Sequence, residues 1–318
     1  MTLKIILTLL LAFAAALVAC PILIRRMKML QYGQQIREDG PTRHSTKAGT
    51  PTMGGVVILL TAILAALITS GNQPQFYMIL IVVLGCGLIG FLDDYYKIAG
   101  RQSLGLRARS KLAGGLAIAA MFTLLIYLAG LYSPLVLIPF SSAVINLGLL
   151  YPFFIFLVVL SATNAVNLTD GVDGLAAGTS IIALIAFLYI SLQAGNTAVA
   201  IFSAALIGGC LGFLVYNRHP ARLFMGDVGS FGLGGAFAAI AVLTKTELLL
   251  IIIGGIFVVE ALSVMAQVLS FQLIGRRVLL MSPLHHHFEL KGWSEWRVVL
   301  VFWAAATFFS VAGVLAYQ

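Results

Sequence analysis

Along this chain apolar residues follow neither the alternation of a half-buried strand nor the three-and-four spacing of a surface helix. They run nearly unbroken for stretches of about 20 residues, the length that crosses a bilayer as a helix. Ten such runs are found, roughly 3–24, 54–70, 76–92, 112–130, 151–168, 174–192, 198–216, 229–244, 248–273 and 297–316. Connections on one side are short, as from Ser70 to Pro74 and from Gln193 to Thr197. Segment 131–148, with Pro134 and Pro139, is longer and is expected to fold as a small external lobe. The pattern predicts an all-α integral membrane protein of about ten transmembrane helices, with residues 1–318 forming one multi-spanning domain.

Composition sharpens this reading. Of 318 residues 61% are hydrophobic and 9% charged, against about 25% charged in a soluble domain. With a mean hydropathy of +1.05, a water-soluble fold with one large core is excluded. Cys20, Cys86 and Cys210 stand far apart in apolar runs, so neither a zinc site nor a disulfide framework is indicated. Leu17-Val18-Ala19-Cys20 matches a lipoprotein cleavage box, with Lys4 as a thin cationic start. However, Arg25, Arg26 and Lys28 follow the run at once, and cations after a span hold that end in the cytoplasm. A first transmembrane helix is therefore the preferred reading.

Charge also tests the count. With the N-terminus outside and spans alternating, the inward segments are 25–53, 93–111, 167–173, 217–228 and 274–297. They hold all of the 19 Lys and Arg except Lys4 and Lys245, a strong positive-inside bias. Both termini are then external. Nine carboxylates (Glu38, Asp39, Asp93, Asp94, Asp170, Asp173, Asp227, Glu289 and Glu295) and all five His fall on the same side. The positive-inside rule does not demand this of acids or histidines, so one active site on the cytoplasmic face is predicted. Glu247 is external. Glu260 lies inside the ninth run, where an ionisable group is paired or functional; a structural pair is expected.

Several polar groupings carry candidate chemistry. Asp93 and Asp94 are adjacent acids, poor neighbours unless a cation or proton separates them. One is expected to bind a cation while the other faces substrate; the bland alternative is a solvated helix end. They are not the DDxxD of prenyl-chain synthases, because position 97 is Lys. Asn164, Asn167, Asp170 and Asp173 are three apart, which on a continuous helix gives one polar stripe, and Gly171 and Gly174 let backbone approach a ligand. The run resembles an EF-hand start but lacks the closing Glu, so calcium is rejected. Asp227, between Gly226 and Gly229, is suited to Mg²⁺, which takes few carboxylates and completes its shell with water and phosphate oxygens; a simple helix cap is the alternative. Phe224 is placed to stack on a base. His285, His286 and His287 are consecutive and unsuited to converging on one zinc, so contact with an anion is preferred to a merely polar loop. No P-loop or GxGxxG motif is present, and no nucleic-acid partner is expected.

Several of these motifs together resemble one family. They are the segment His44 to Gly55, Asp93-Asp94-Tyr95, the stretch Asn164 to Gly174, Met225-Gly226-Asp227, and Pro283 to Trp293 with its three histidines. Over nearly the whole chain they are similar to the bacterial phospho-N-acetylmuramoyl-pentapeptide transferases (the MraY family), a branch of the polyprenyl-phosphate sugar-phosphate transferases. The His-rich stretch is the branch-specific part.

The resemblance implies a multi-pass enzyme of the bacterial cytoplasmic membrane. Undecaprenyl phosphate would attack the β-phosphate of UDP-MurNAc-pentapeptide, giving lipid I and UMP with Mg²⁺ as cofactor. It further implies that Asp227 holds the metal and that Asp93, with Asp94 beside it, is the base or acceptor-orienting group. Lys47, Lys97 and Lys111 would offset phosphate charge. Asn217, Phe224, Asp170, Gly171 and Asp173 would hold uridine, with Asn164 and Asn167 on the same substrate-binding stripe. His286 is placed with the catalytic residues and His285 and His287 toward the donor. Direct attack is favoured over a covalent Asp intermediate, because a carboxylate engaged with Mg²⁺ is a poor nucleophile. A homodimer is allowed for. The rivals are a UDP-GlcNAc transferase of the same superfamily and a transporter or flippase. Transporters place ionisable groups near the bilayer midplane, where this chain has only Glu260.

Overall fold

In hydrocarbon a chain must satisfy its own backbone polar groups, and a helix does so within one segment. The computed structural model describes residues 1–30, 49–100 and 105–317, and helices dominate it. In chain order they are α1 (Thr2–Met29), α2 (Gly55–Ser70), α3 (Pro74–Ala99), α4 (Ala108–Leu128), α5 (Tyr151–Thr169), α6 (Leu175–Gln193), α7 (Thr197–Asn217), α8 (Gly226–Thr244), α9 (Leu249–Ile253), α10 (Gly255–Ile274), α11 (Leu284–Leu290) and α12 (Glu295–Ala316). Local chemistry marks many ends. Pro74 opens α3, where a missing N–H costs nothing. Asn196 and Ser294 cap α7 and α12 by accepting the N–H groups of Val199 and Arg297. Gly174 and Gly275, at φ +79° and +65°, supply left-handed turns before α6 and after α10.

Among the described residues nine helices are long and apolar enough to cross a membrane; α2, with 16 residues, falls short of that length. The ten predicted runs thus become nine long helices and one short one, which at ~1.5 Å per residue is about 24 Å long. Other boundaries differ from expectation for identifiable reasons. Helix α3 does not stop before Asp93 but continues to Ala99, so Asp93, Asp94 and Lys97 stand on rigid helix, joined by the i,i+4 contact of Asp93 with Lys97. The 248–273 run is broken at Gly254 into α9 and α10. Segment 131–148 holds a two-stranded antiparallel hairpin, β1 (Leu135–Leu137) with β2 (Val144–Asn146), the only sheet among the described residues. The seven-residue α11 lies where only a connector was expected.

Helices α6, α7 and α8 form the interior, buried on most faces. Helix α1 packs on α7, and α3 and α5 pack on α8. Lipid tails give helices no hydrophobic reason to associate, so close backbone approach through small residues matters. Gly208 and Gly212 of α7, four apart, abut Ala12 and Ala16 of α1, and Gly234 of α8 abuts Thr163 of α5. Cys20, Cys86 and Cys210 are buried free thiols. Helix α10 is buried only at Gly255, Ile256, Phe257 and Glu260; beyond them Leu262, Met265, Leu269 and Phe271 are exposed. Gln267 ties the chain after α10 back onto it, accepting the N–H groups of Val278 and Leu279 and donating to the Leu279 carbonyl.

At the end of the bundle away from the aspartates lies a second polar knot. Tyr151 Oη donates to Glu247 Oε1 at 2.5 Å, and Lys245 Nζ donates to Tyr151 Oη and to the Ser133 carbonyl, both at 2.6 Å. Burial pushes the Glu247 carboxyl up and the Lys245 ammonium down from their ordinary values, so each charge depends on the other and on the Tyr151 hydroxyl. Replacing Tyr151 with Phe strips both of a partner. Leaving a buried polar group unpaired costs about 1–3 kcal/mol, so Tyr151→Phe is expected to lower Tm in detergent; an unchanged Tm would show that this knot does not hold that end of the bundle together.

Candidate active site

The site is built where α3 meets the start of α8. Backbone pairing fixes the approach: the Phe224 N–H donates to the Pro51 carbonyl, and the Gly54 and Gly55 N–H groups donate to the carbonyls of Phe224 and Met225, all at 2.8 Å. A Cβ on Gly90 of α3 would collide with the Asp227 carbonyl, and one on Gly55 would collide with Gly229. Gly226 has φ +76°, and a Cβ there would collide with the Asp94 carboxylate. That carboxylate accepts the Val228 N–H at 3.1 Å. Asp94 thus serves α8 as a cap supplied from another helix, a charge where the helix dipole favours one.

Its neighbour Asp93 points into a ring of charges. Lys97 Nζ lies 2.6 Å from Asp93 and 3.0 Å from Asp227, while Lys111 Nζ lies 2.9 Å from Asp93 and 3.2 Å from Asp227. Two ammonium groups therefore bridge two carboxylates. Asp93, at 1% exposure, also accepts the Leu106 N–H at 2.7 Å. Asn167 donates to the other Asp227 oxygen at 3.0 Å and to Ser230 Oγ at 2.9 Å. Beside Lys111 is a small pocket of about 10 Å³, lined by Cys86, Ile89, Leu160, Thr163, Asn164 and Phe231.

The predicted stripe of four polar residues is only half present. Helix α5 ends at Thr169 because Asp170 leaves helical geometry and glycines follow. Asn164 and Asn167 stay on the helix, but Asp173 turns away to accept the N–H of Ala221 and to contact His219 Nδ1, each at 3.0 Å. His219 Nδ1 also lies 3.2 Å from Glu295. Asp170 stays near the charge ring. Burial, together with the negative charges of Asp227, Asp94 and Asp173, pushes its carboxyl well above the usual range. Asn217 bridges backbone, accepting the Gly174 N–H and donating to the Leu223 carbonyl. Phe224 is half-buried beside that loop.

The three histidines do not converge. His285 is fully buried against Glu260, His286 Nδ1 lies 2.7 Å from Glu289, and His287 Nδ1 accepts the Leu280 N–H. Burial and nearby Lys291 hold the His287 imidazole below its usual value. A Cβ on Gly171 would collide with His285, so α11 borders the 170–174 loop. Lys47 and His44 lie outside the described residues, as do Arg37, Glu38, Asp39, Arg43 and Arg101.

Oxygens of Asp93, Asp94 and Asp227 come within 4.8 Å of one another, so these residues could hold a metal ion. Three carboxyl groups here face two ammonium groups, and the all-oxygen donor set suits a hard divalent cation. Ser230, Leu106, His219 and Glu295 were not picked out from sequence. Ser230 had a weak signal in adjoining the Met225–Gly229 motif, and His219 and Glu295 had only their place on the charged side of the chain; Leu106 had none.

A model of glycosyl transferase family 4 matches residues 76–245, and the phospho-N-acetylmuramoyl-pentapeptide-transferase signature 1 matches residues 47–59. A phospho-N-acetylmuramoyl-pentapeptide-transferase of Shouchella clausii (strain KSM-K16) is 51% identical over 310 residues, 96% of this chain and 95% of that protein. One of Desulfitobacterium hafniense (strain DSM 10664 / DCB-2) is 49% identical, covering 97% and 96%. One of Bacillus subtilis (strain 168) is 47% identical, covering 98% and 97%.

The α3–α8 contact makes a direct prediction. Gly90→Ala must push the start of α8, and Asp227 with it, away from α3. Transferase activity is expected to fall at least about tenfold, or ~1.4 kcal/mol. Gly115→Ala, whose Cβ meets nothing within 4 Å, is expected to be neutral. Equal activity of the two variants would show that the contact can open without cost.

Proposed function

The chain belongs to the phospho-N-acetylmuramoyl-pentapeptide transferases of glycosyl transferase family 4, a multi-pass membrane transferase of peptidoglycan synthesis, and from that premise we propose how its residues carry the transfer. The donor is UDP-MurNAc-pentapeptide and the acceptor undecaprenyl phosphate, in the bacterial cytoplasmic membrane, with the aspartate end of the bundle facing the cytoplasm. Residues 1–318 act as one transferase domain. An acceptor phosphate oxygen attacks the β-phosphorus. The bond from that phosphorus to the bridging oxygen breaks, and UMP leaves with the electron pair.

The observation that carries this reading is the ring of Asp93, Lys97, Asp227 and Lys111. Phosphoryl transfer asks a protein mainly for positioning and charge neutralisation, and two ammonium groups held by two carboxylates supply fixed positive charge. Lys111, which bridges Asp93 and Asp227 from the first turn of α4, suits the phosphate of the lipid acceptor. Asp93, already engaged by both lysines and the Leu106 N–H, orients the acceptor through those lysines rather than acting as a base. Asp94 keeps Asp227 in place by capping α8. Mg²⁺ at Asp227, with Asp94 at its edge, would neutralise pyrophosphate charge. Asp170, Gly171, Asp173 and Phe224 border the uridine site, Asn217 props the loop beneath it, and the α11 histidines face the donor's sugar-peptide side. Lys47 completes the phosphate contacts.

One assay tests the donor: purified protein with undecaprenyl phosphate, Mg²⁺ and each UDP-sugar in turn, reading UMP release. UDP-MurNAc-pentapeptide is expected to react and UDP-GlcNAc not; the reverse would move the chain to the UDP-GlcNAc branch. A second experiment tests the metal. Asp227→Asn keeps the shape but loses the charge that holds a hard cation, so activity should collapse and the Mg²⁺ requirement shift to higher concentration. An unchanged Mg²⁺ dependence would remove Asp227 as metal ligand.

A further inference from the structure

A carboxylate inside a membrane-spanning helix is expensive unless partnered. Glu260 of α10 is such a group, at 0% exposure. The residue it meets, His285 of α11, is also at 0%. Glu260 meets it twice: Oε1 accepts the His285 backbone N–H at 3.2 Å, and Oε2 stands 3.2 Å from the ring Nδ1, an ion-pair distance at which neither of those two atoms makes a hydrogen bond among the described residues. The first contact fixes the place of the residue, and the second sets a carboxylate beside its ring. The opposite ring edge, Nε2, has no hydrogen-bond partner among the described residues and presses on Gly171, where a Cβ would collide with it. Gly171 follows Asp170 and lies in the turn that leads to Asp173. Helix α11 is seated independently, with Leu284, Phe288 and Trp293 packing on a small core of Val172, Leu175, Val298 and Phe302. The contact of ring with loop is therefore backed on one side by apolar packing and on the other by a single buried carboxylate.

We propose that Glu260 is a positioning residue of the transferase: from within the membrane it fixes His285, and His285 holds loop 170–174 in the conformation that receives the nucleotide of the donor. This rests on the donor reading above. Glu260 touches no substrate and takes no part in bond making.

Kinetics on purified protein tests this, with donor and acceptor titrated separately for wild type, Glu260→Gln, His285→Ala, the double variant and Gly171→Ala. Glu260→Gln keeps an acceptor for the backbone N–H and loses the charge facing Nδ1. Its donor KM is expected to rise about tenfold, the scale of one lost charge-assisted contact, with acceptor KM and Mg²⁺ requirement unchanged. Gly171→Ala should raise donor KM in the same way from the loop side. If Glu260 acts only through His285, the double variant should match His285→Ala within about twofold. Multiplying effects would overturn that route. A fall in Tm and kcat with both KM values intact would make Glu260 merely structural and overturn the proposal. Wild-type protein that turns over no UDP-MurNAc-pentapeptide would instead defeat the donor reading itself.

Discussion

The site depends on one close approach, the backbone of α3 lying directly against the first turn of α8. Only glycine at 90 and 226 leaves room for it, and only a carboxylate from outside α8 can answer the N–H groups that the helix start presents. Asp94 does so, and by sitting next to Asp93 it sets which way that second acid points. The short backbone ladder from Pro51 to Gly55 onto Phe224 and Met225 closes the arrangement from the other side. Asp227 and the charge ring are thus spaced by main-chain contacts, which tolerate far less adjustment than side chains do.

Adjacent aspartates are usually discussed as a pair with one job. Here the helix sends them to different tasks, Asp94 to the end of α8 and Asp93 to two lysines. The lysines come from α3 and from the first turn of α4, so the ring also joins two helices across segment 100–107. In surroundings of low dielectric such like-charged groups coexist because opposite charges are interleaved among them. The ring is as much a folding constraint as a chemical device.

Much of this was legible in the sequence, and the limits were physical. Apolar run length located the helices, because a bilayer demands about 20 residues per crossing. Charge bias put Asp93, Asp227, Asp170 and the histidines of α11 on one side of the chain, and in the fold α11 borders the loop that follows Asp170. The shared face of Asp173 with Asn164 and Asn167 was misread, because spacing by three implies a common face only while the helix lasts, and α5 stops at Thr169. The end of α3 was misread because hydropathy falls at Asp93, although the Asp93–Lys97 contact carries the helix on. Helix α11 was missed as an element because seven residues give too little periodicity to read. Glu260 was expected to be paired, but no local signal names a histidine 25 positions later.

Helix α10 is buried at one end and exposes apolar side chains over most of its remaining length. Such a helix is a lever. Its inclination is set by how its apolar length matches the thickness of the surrounding hydrocarbon. Glu260 sits at the fulcrum, where the anchored turns meet the free ones. A helix so placed would carry the thickness of the surrounding hydrocarbon to the position of Glu260, a setting that a micelle, with no fixed thickness, would not impose.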